Sequence, residues 1–590
     1  MLKRVVLAMA AMGIMGSAAA VSLPPAPAVG KLGAVVVDPY GTAPLTAVIE
    51  LAGKSISDVY VTVEGKGPEG VSIDYPVGRH SLLTHDGIPV FGLYANHLNN
   101  VTVRYQMAGQ PVEEHYRILT GSLQNRYIDN RSTSELQPVE VKTVAPGFED
   151  RLYLVNSHTL LPQGSDLHWG ALKDASSGLL DANPAGGSMP FDAIPMTYII
   201  DTQGEYRWWL SQDALYDGKN HDVDRRGYLM GINPTATGSY TFVQGQRWYE
   251  MDLMGRFAHD QKLPRGFIDA SHESVETPQG TVLLRVAKRN YLRDDGQMVH
   301  TVRDHIIEVD KSGNLLDVWD LPVILDPLRD DLIKALDASA VCVSRNVDAE
   351  GQAVVLEPDA PFGDAVGVGA GRNWAHVNSI AYDPSDDSII ISPRHQASAI
   401  KIGRDKQVKW ILSASIGWSG ELADKLLTPV DAKGNPLDCT VKGVCEGDFD
   451  FSYTQHTAWL SDKGTLTVFD NGDGRHYRQP FFKTERYSRA VEYKIDEKAM
   501  TVQQLWEYGK ERGYDWFSPI TSNAEYQSDR DTMFTFGGSI HLFEGASIIG
   551  KINEIDYDTK AVKVEIDVIS DKTNSPHYRA LVVHPEQAFR

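Results

Sequence analysis

The chain has 590 residues, of which 42% are hydrophobic and 23% are charged. This composition is typical of a folded protein that is long enough for more than one domain. An excess of 78 acidic over 56 basic residues gives a formal net charge of −22, which disfavours nucleic-acid binding because that function needs clustered lysine and arginine.

The first twenty residues have the pattern of a secretory signal. Lys3 and Arg4 precede the apolar run VVLAMAAMGIM (5–15), and the small-residue run AAA (18–20) supplies a cleavage site. The apolar run is short for a bilayer span, so an N-terminal membrane anchor is the less favoured alternative. We therefore predict that residues 1–20 are removed, that the protein is exported, and that it then has no membrane partner.

Residues 21–145 differ in pattern from the rest of the chain. Short alternating or β-branched runs, among them AVIELAG, VYVTVEGKG and VTVRYQMAG, are separated by Gly, Pro and Asp turns. This pattern predicts a small all-β sandwich. The region holds no cluster of candidate catalytic residues, so we expect a supporting or dimerisation module.

From residue 146 onward one motif recurs: an apolar strand, an Asp- or Gly-centred turn, and a second strand that often ends in Trp. The copies are YIIDTQGEYRWWL (198–210), YEMDLMGRF (249–257), IIEVDKSGNLLDVWDL (306–321), AIKIGRDKQVKWIL (399–412), VEYKIDEKAMTVQQLWEYG (491–509) and INEIDYDTKAVKVEIDV (552–568). Hairpins that cannot bury their own faces must stack on neighbours. Six copies predict an all-β fold with a six-bladed β-propeller over residues 146–590, and a long sandwich or solenoid is the alternative.

Segments of a second type precede these hairpins, and we interpret them as the inner strands of the blades with the strands that follow. They span residues 226–243, 269–286, 373–394, 453–472 and 519–539. Near their starts, equivalent positions hold Tyr228, His272, His376, His456 and Thr521. Because inner strands of a propeller line its central channel, we expect these five residues to converge on one site near the axis.

The composition of this predicted site favours binding of a small oxyanion. Arg394 closes the strand after His376 and offers a planar fork of donors, and Asn378 lies two residues from His376, on the same side of a strand. Histidine can carry a sulfuryl or phosphoryl group covalently, while a second histidine moves the proton. The sequence contains no credible nucleotide-binding motif and no nucleophile elbow, so we expect no cofactor.

Two other functions remain open from the residues alone. The three histidines could hold a metal ion in a hydrolase or lyase, although their spacing fits no compact metal motif and Arg394 would repel a cation. Glu273, beside His272, is expected to face the opposite side of its strand. A non-enzymatic binding propeller is the second alternative. DNGDGRH (470–476) lacks the spacing of a calcium loop and is interpreted as a tight turn.

The chain has three cysteines. Cys439 and Cys445 lie in a loop rich in Pro, Gly and Asp, and in an exported protein this pair favours a disulfide over two free thiols. Cys342 lies in an apolar context and is predicted to be a buried free thiol.

Long distinctive runs make the chain resemble the bacterial periplasmic arylsulfate sulfotransferases over essentially the whole mature length. They include RGYLMGI, DASHESVETP, GRNWAHVNSIAYD, YTQHTAWL, FDNGDGRH and YGKERGYD. The resemblance implies a periplasmic homodimer with a six-bladed propeller and an N-terminal β-sandwich. It implies sulfuryl transfer from a phenolic sulfate ester to a phenol, through a sulfohistidine and without a nucleotide sulfate donor.

The same resemblance assigns roles to the residues that match its motifs. It implies that His456 of YTQHTAW is the nucleophile and that His272 of ASHES is the acid and base. His376 of WAHVNS and Arg394 of SPRHQ would hold the sulfuryl oxygens. Supporting positions follow from the same motifs: Asn378 and Thr521 as donors, Tyr228 near the aryl group, and Cys439–Cys445 as a disulfide.

Overall fold

The computed structural model describes residues 31–123, 125–126, 133–134, 136–160, 193–211, 229–292, 296, 298–329, 364–365, 374–478, 486–542, 547–570 and 576–590. The predicted signal (1–20), Tyr228 and Cys342 lie outside the described residues. Strands dominate the described part of the chain, which confirms the predicted all-β class. Within it, no helix is long and apolar enough to cross a membrane.

Residues 31–123 form two antiparallel sheets joined by one short helix. The first sheet has the order β1 (Val35–Val37), β2 (Thr46–Glu50), β5 (Gly87–Phe91), and the second has the order β4 (Ile73–Val77), β3 (Ser57–Val63), β6 (Leu98–Met107), β7 (Gln110–Leu119). Helix α1 (Arg79–His85) connects β4 to β5. Side chains alternate between buried and exposed along β3 and β7, as expected for sheets with one apolar face.

The remainder of the described chain contains six sheets of four or five strands, five antiparallel and one mixed, which we number in chain order. Sheet 1 has the order β39 (Arg579–Val582), β11 (Leu152–Leu160), β12 (Ala193–Asp201), β13 (Tyr206–Trp209); sheet 2 has β14 (Leu229–Pro234), β15 (Tyr240–Gln244), β16 (Arg247–Met251), β17 (Phe257–Lys262); in sheet 3, β18 (Phe267–Ile268) and β19 (Ser274–Glu276) both pair with β20 (Val282–Lys288), followed by β23 (His305–Val309) and β24 (Leu315–Asp320).

Sheets 4 to 6 repeat this arrangement. Sheet 4 has the order β26 (Val377–Asp383), β27 (Ser388–Pro393), β28 (Ala399–Gly403), β29 (Val408–Leu412); sheet 5 has β31 (His456–Leu460), β32 (Leu466–Asp470), β33 (Arg489–Asp496), β34 (Thr501–Tyr508), β30 (Thr428–Pro429); sheet 6 has β35 (Asn523–Gln527), β36 (Thr532–Ile540), β37 (Ile549–Asp556), β38 (Val562–Ile569), β10 (Val139–Val144). The pairing of β30 with β34 is parallel.

Short elements complete the described chain. They are β8 (Asn125–Arg126), β9 (Thr133–Ser134), β21 (Tyr291–Leu292), β22 (Met298–His300), β25 (Asp364–Ala365), helices α2 (Leu321–Ile324), α3 (Gly420–Ala423) and α4 (Pro585–Ala588), and 3₁₀ turns at Arg394–Gln396, Arg475–Tyr477 and Lys510–Trp516.

The six hairpins predicted from the sequence are the third and fourth strands of these sheets. They correspond to β12–β13, β16–β17, β23–β24, β28–β29, β33–β34 and β37–β38, each of them antiparallel. The first strands of sheets 2 to 6 likewise begin in the five segments that we interpreted as inner strands. The repeat therefore exists as predicted.

Both ends of the repeat are joined by distant parts of the chain. Strand β39, from the C-terminus, pairs with β11 and supplies the first strand of sheet 1. Strand β10 pairs with β38 as the last strand of sheet 6. Adjacent sheets contact one another in order, and sheet 6 contacts sheet 1 through β36 and β39. Strands β39 and β10 are therefore hydrogen-bonded within sheets 1 and 6, and neither sheet is left with an unpaired terminal strand that another chain could bind.

The space between sheets is filled by large apolar side chains. Trp319, Trp410 and Trp516, from the strands or turns at the outer side of three sheets, are buried in three separate clusters of the core. The core of residues 31–123 continues into sheets 1 and 2 without a break. Arg207 of β13 crosses that boundary: it donates to the Gly92 and Val71 carbonyl oxygens and lies 3.8 Å from the ring centroid of Tyr94.

The predicted disulfide between Cys439 and Cys445 is present, in a loop between β30 and β31. That loop packs against the sheet 4 side of the fold through the hydrogen bond from the Ile416 amide to the Val441 carbonyl oxygen, 2.9 Å.

Candidate active site

Residues at the starts of the first strands converge on one buried point. His456 is the first residue of β31, His376 directly precedes β26, and His272 and Thr521 lie two residues before β19 and β35. The His272 and His376 ring centroids are 5.2 Å apart, and the Thr521 amide lies 3.2 Å from His456 Nε2. The structure therefore brings together the four described members of the predicted set. Their burial in a common site follows from the equivalent positions in successive sheets.

The backbone at these positions is unusual. His272, His376 and Thr521 have φ values of +71°, +48° and +60°, in the left-handed region that residues other than glycine rarely adopt. Such conformations cost free energy and persist only where the surrounding structure enforces them. Here they occur at the entry to three different first strands, directly beside the converging side chains.

Hydrogen bonds define the proton position on His456. Its Nδ1 lies 2.9 Å from Asn471 Oδ1. The Asn471 amide nitrogen donates to the carbonyl oxygens of Ser518 and Thr521, at 2.6 and 3.0 Å, which fixes the amide orientation and leaves Oδ1 as the acceptor. Neutral His456 therefore carries its proton on Nδ1, and Nε2 has a lone pair that accepts the Thr521 N–H.

His272 is held in the opposite tautomer. Its Nδ1 lies 3.0 Å from Arg285 Nη2 and 2.7 Å from Ser271 Oγ. A guanidinium can only donate, so Nδ1 is the acceptor and the proton of the neutral ring is on Nε2. The site thus contains one imidazole with its lone pair on Nε2, His456, and one with an N–H at Nε2, His272.

His376 lies between two cationic or basic neighbours. Arg303 Nη1 is 3.2 Å from both ring nitrogens of His376, and the His395 ring centroid is 4.5 Å away. Arg303 Nε has no hydrogen-bond acceptor among the described residues, although the side chain is buried. Arg303 therefore has a donor to offer an anionic ligand.

Arg394, Asn378 and Thr521 surround the histidines, and each has a protein partner. Arg394 is fully buried and donates from Nη2 to the Pro519 carbonyl oxygen at 3.0 Å. The Asn378 amide donates to the Gln455 carbonyl oxygen at 2.8 Å, which holds the residue before His456. The Thr521 hydroxyl donates to the Ile520 carbonyl oxygen.

The environment keeps all three histidines neutral. Burial lowers the pKa of His456 well below its usual value of 6.5, and the Arg394 charge lowers it further. Burial followed by the Arg303 charge does the same to the pKa of His272 and of His376. Neutral imidazoles beside guanidinium groups make a site that suits a nucleophilic nitrogen and a bound anion.

A three-histidine metal centre is not favoured. Within the described ranges, no group of three or more His, Cys, Asp or Glu side chains is placed to hold a metal ion. Arg285 occupies Nδ1 of His272 and Arg303 lies against both nitrogens of His376, so two of the three rings have cations where a metal would bind.

Sequence reasoning missed several residues that contact the cluster. Tyr578 directly precedes β39 and occupies the sixth equivalent position, where its hydroxyl donates to the His272 carbonyl oxygen at 2.9 Å. The sequence did not identify Arg285 or Arg303 as site residues, because neither lies at the aligned starts of the five inner-strand segments. Asn471 lies in DNGDGRH, which the structure confirms as a turn after β32. Aligning HYRALVV with the five inner segments would have identified Tyr578.

Comparison with known proteins gives a consistent result over nearly the whole chain. A family model described as arylsulfotransferase matches residues 138–579, and one described as the arylsulfotransferase Ig-like domain matches residues 34–121. Two proteins named arylsulfate sulfotransferase AssT are similar: that of Escherichia coli O6:H1 is 63% identical over 588 residues (99% of this chain, 98% of the relative), and that of Lelliottia amnigena is 64% identical over 583 residues (98% and 97%).

Solved structures resemble the chain only remotely. A protein of unknown function from Bacteroides caccae has a TM-score of 0.36 and 11% identity, over 74% of this chain and 99% of its own. Similarity at that level carries no argument about function.

Proposed function

The chain belongs to the arylsulfotransferase family and is an arylsulfate sulfotransferase, and from that premise we propose that it works by a ping-pong mechanism through a sulfohistidine at His456. The observation that carries this proposal is the tautomer of His456. Asn471 accepts from Nδ1, so the lone pair is on Nε2, in a buried site where the pKa of the ring is well below 6.5. A neutral imidazole nitrogen with a fixed orientation is the nucleophile that such a mechanism needs.

In the first half-reaction, Nε2 of His456 attacks the sulfur of a phenolic sulfate ester. The N–S bond forms as the bond from sulfur to the phenolic oxygen breaks. That oxygen leaves as a phenoxide and accepts a hydrogen bond from Nε2–H of His272, while Arg285 donates to Nδ1 and keeps the His272 proton on Nε2. The sulfurylated His456 ring is cationic, and its Nδ1–H remains bonded to Asn471.

The second half-reaction reverses these roles with a second phenol. The acceptor reacts as its phenoxide, held by the same Nε2–H of His272, and the N–S bond breaks as its oxygen attacks sulfur. His456 recovers its lone pair and the enzyme is ready for another donor. One pair of histidines in opposite tautomers therefore serves both directions, because the acceptor is chemically the counterpart of the leaving group.

The sulfuryl oxygens need donors throughout, and we propose that Arg394, His376 and Arg303 supply them. Arg394 and Arg303 are buried guanidinium groups that border the histidines, and charge-assisted donors in a water-poor site stabilise developing negative charge. Asn378 and Thr521 support the site by contacts to the backbone at Gln455 and to His456. From the family motif we also propose that Tyr228 contacts the aryl group.

We further propose the domain organisation that the family implies. Sheets 1 to 6 would be the blades of a six-bladed propeller within residues 146–590, and the two sheets of residues 31–123 a β-sandwich within residues 21–145. The match to an Ig-like family domain supports the latter. The predicted signal over residues 1–20 and the disulfide Cys439–Cys445 support a periplasmic location. A homodimer remains a proposal from the resemblance.

The decisive experiment is intact-protein and peptide mass spectrometry after brief exposure to an aryl sulfate without acceptor. A burst of phenol equal to the enzyme, with mass equal to one SO₃ added to the peptide that contains His456, would support the mechanism. His456→Asn should lose the burst and at least about 10³-fold of the transfer rate, with unchanged thermal unfolding. Full transfer activity in that variant would defeat the proposal.

A further inference from the structure

Glu273 and Arg579 form a buried ion pair that the proposed mechanism does not use. Glu273 directly follows His272, and Arg579 directly follows Tyr578. The guanidinium meets the carboxylate at two points, Nη1 to Oε1 at 2.7 Å and Nη2 to Oε2 at 3.1 Å. Both side chains are at most 1% exposed. The pair therefore lies one residue further along the first strands than the histidine site.

Two more side chains enclose this ion pair. The Trp459 indole N–H donates to Glu273 Oε2 at 3.2 Å, and its ring centroid lies 4.6 Å from the Arg579 guanidinium. The Asn233 amide donates to Glu273 Oε1 and to the Ser274 carbonyl oxygen. Glu273, Arg579, Trp459 and Asn233, which we call the axial seal, thus link sheets 3, 1, 5 and 2 across the space between their first strands.

Backbone contact tightens the seal between sheets 2 and 3. Gly231 of β14 bridges to Glu273, and a Cβ atom at Gly231 would lie 2.6 Å from the Glu273 Cα. Only glycine permits this approach, because a Cβ atom would clash with the Glu273 backbone and a φ of +65° would strain any other residue.

Burial changes sharply across the seal. On the side away from the histidines, a cavity of about 270 Å³ is lined by residues at the far ends of the first strands, including Pro234, Gln527 and Val582. Trp459 and Asn233 are partly exposed, whereas Glu273, Arg579 and His456 are buried. Trp459 and Asn233 therefore form the more exposed layer of the seal, and the buried Glu273–Arg579 pair is the layer next to the histidine site.

We propose that the axial seal excludes water from the sulfurylated His456 and so makes the enzyme a transferase rather than a sulfatase. This inference rests on the proposed sulfohistidine. In the competing reaction, a water oxygen would attack sulfur, the N–S bond would break with its electron pair returning to His456 Nε2, and hydrogen sulfate would leave while one proton passes to solvent. An ion pair satisfied by four donors excludes water better than a loosely packed polar lining does.

The experiment measures where the sulfuryl group goes. Enzyme is given 4-nitrophenyl sulfate with a limiting concentration of phenol, and sulfated phenol and inorganic sulfate are quantified together with the first-turnover burst. Trp459→Ala should raise the share of inorganic sulfate at least about 5-fold while the burst amplitude is retained. Asn233→Ala, a smaller opening of the same layer, should raise it less.

Trp506→Ala is the matched control, because Trp506 is also a largely buried indole of sheet 5 but lies on β34, with its N–H on the Tyr557 carbonyl oxygen. It should leave the ratio of products unchanged. If Trp459→Ala folds and keeps its burst but forms no larger share of inorganic sulfate, the proposed role of the seal is wrong. If Trp459→Ala does not fold, the same measurement on Asn233→Ala decides the question. Absence of a burst in the unmodified enzyme would instead refute the sulfohistidine.

Discussion

Residues 31–123 and the histidine site bury polar groups in opposite ways. In the N-terminal sheets, the buried Asn99 side chain accepts from the Tyr94 backbone N–H and donates to the carbonyl oxygens of Tyr94 and Ile118. Such groups satisfy one another and stabilise the fold. At the histidine site, burial keeps His272, His376 and His456 neutral beside guanidinium groups. The sheets therefore stabilise the fold, whereas the site at their first strands uses part of that stability to hold a reactive arrangement.

Among the changes that test this contrast, replacement of Asn471 should have the largest effect on the first-turnover rate. Asn471→Ala removes the acceptor that holds the proton on His456 Nδ1, so the lone pair is no longer confined to Nε2. We expect a loss of roughly 10²-fold in the first-turnover rate, comparable to the loss of other groups that control proton position. The burst of phenol from an aryl sulfate, followed by stopped flow, measures this rate directly.

Asn523→Ala provides the matched control. Asn523 is a fully buried amide of sheet 6 whose side chain bonds the backbone of Ala580, donating to its carbonyl oxygen at 2.8 Å and accepting its N–H at 3.2 Å. Both variants should lower the unfolding temperature, but only Asn471→Ala should slow the burst. Equal slowing in both would show that the rate follows general stability and would remove the distinction between the two kinds of buried amide.

The fold could be predicted from the sequence to the extent that each sheet repeats a local pattern. All six hairpins were predicted from alternating apolar residues, Asp- or Gly-centred turns and, in most copies, a closing Trp. The same register placed His272, His376 and His456 at equivalent strand starts, which was enough to bring them together. Strand β39 was missed as the first strand of sheet 1, because it is four residues long and its partner β11 lies more than 400 residues earlier.

The rest of the site depends on contacts that no local pattern contains. Arg285 and Arg303 reach His272 and His376 from the second strand of sheet 3 and from the segment before β23. The spacing of DNGDGRH correctly predicted a turn, but it gave no sign that Asn471 would orient His456. Tautomers follow from these partners, so they could not be assigned before the fold was known.

The pH dependence of the first turnover is the next test, with a smaller effect. Only neutral His456 can attack, and its pKa is lowered by burial and by Arg394. The neutral form therefore persists as the pH falls below 6.5, and the rate should stay level there instead of declining. Arg394→Gln removes the positive charge, so the pKa of His456 should rise and the acidic decline should move to higher pH.

Rates of the phenol burst at saturating donor, from pH 8 down to the limit of stability, measure this shift for both proteins. The control is Arg404→Gln, since Arg404 is a cation on the outer side of sheet 4 that pairs with Glu308, Asp317 and Asp387. Its profile should coincide with that of the unmodified enzyme. An unmoved profile in Arg394→Gln would mean that Arg394 does not set the protonation of His456.

The smallest effect on catalysis is expected from the apolar packing itself. Ile88→Val removes one methylene from the buried strand β5, and Ile390→Val removes one from β27, which precedes Arg394. Each should cost about 1 kcal/mol of unfolding free energy. Ile88→Val should leave the burst rate unchanged, because the N-terminal core continues into sheets 1 and 2, whereas the histidines lie at the first strands of sheets 3, 4 and 5. A slower burst in Ile88→Val would show that the N-terminal sheets position the site, and the division between stabilising and reactive regions would then fail.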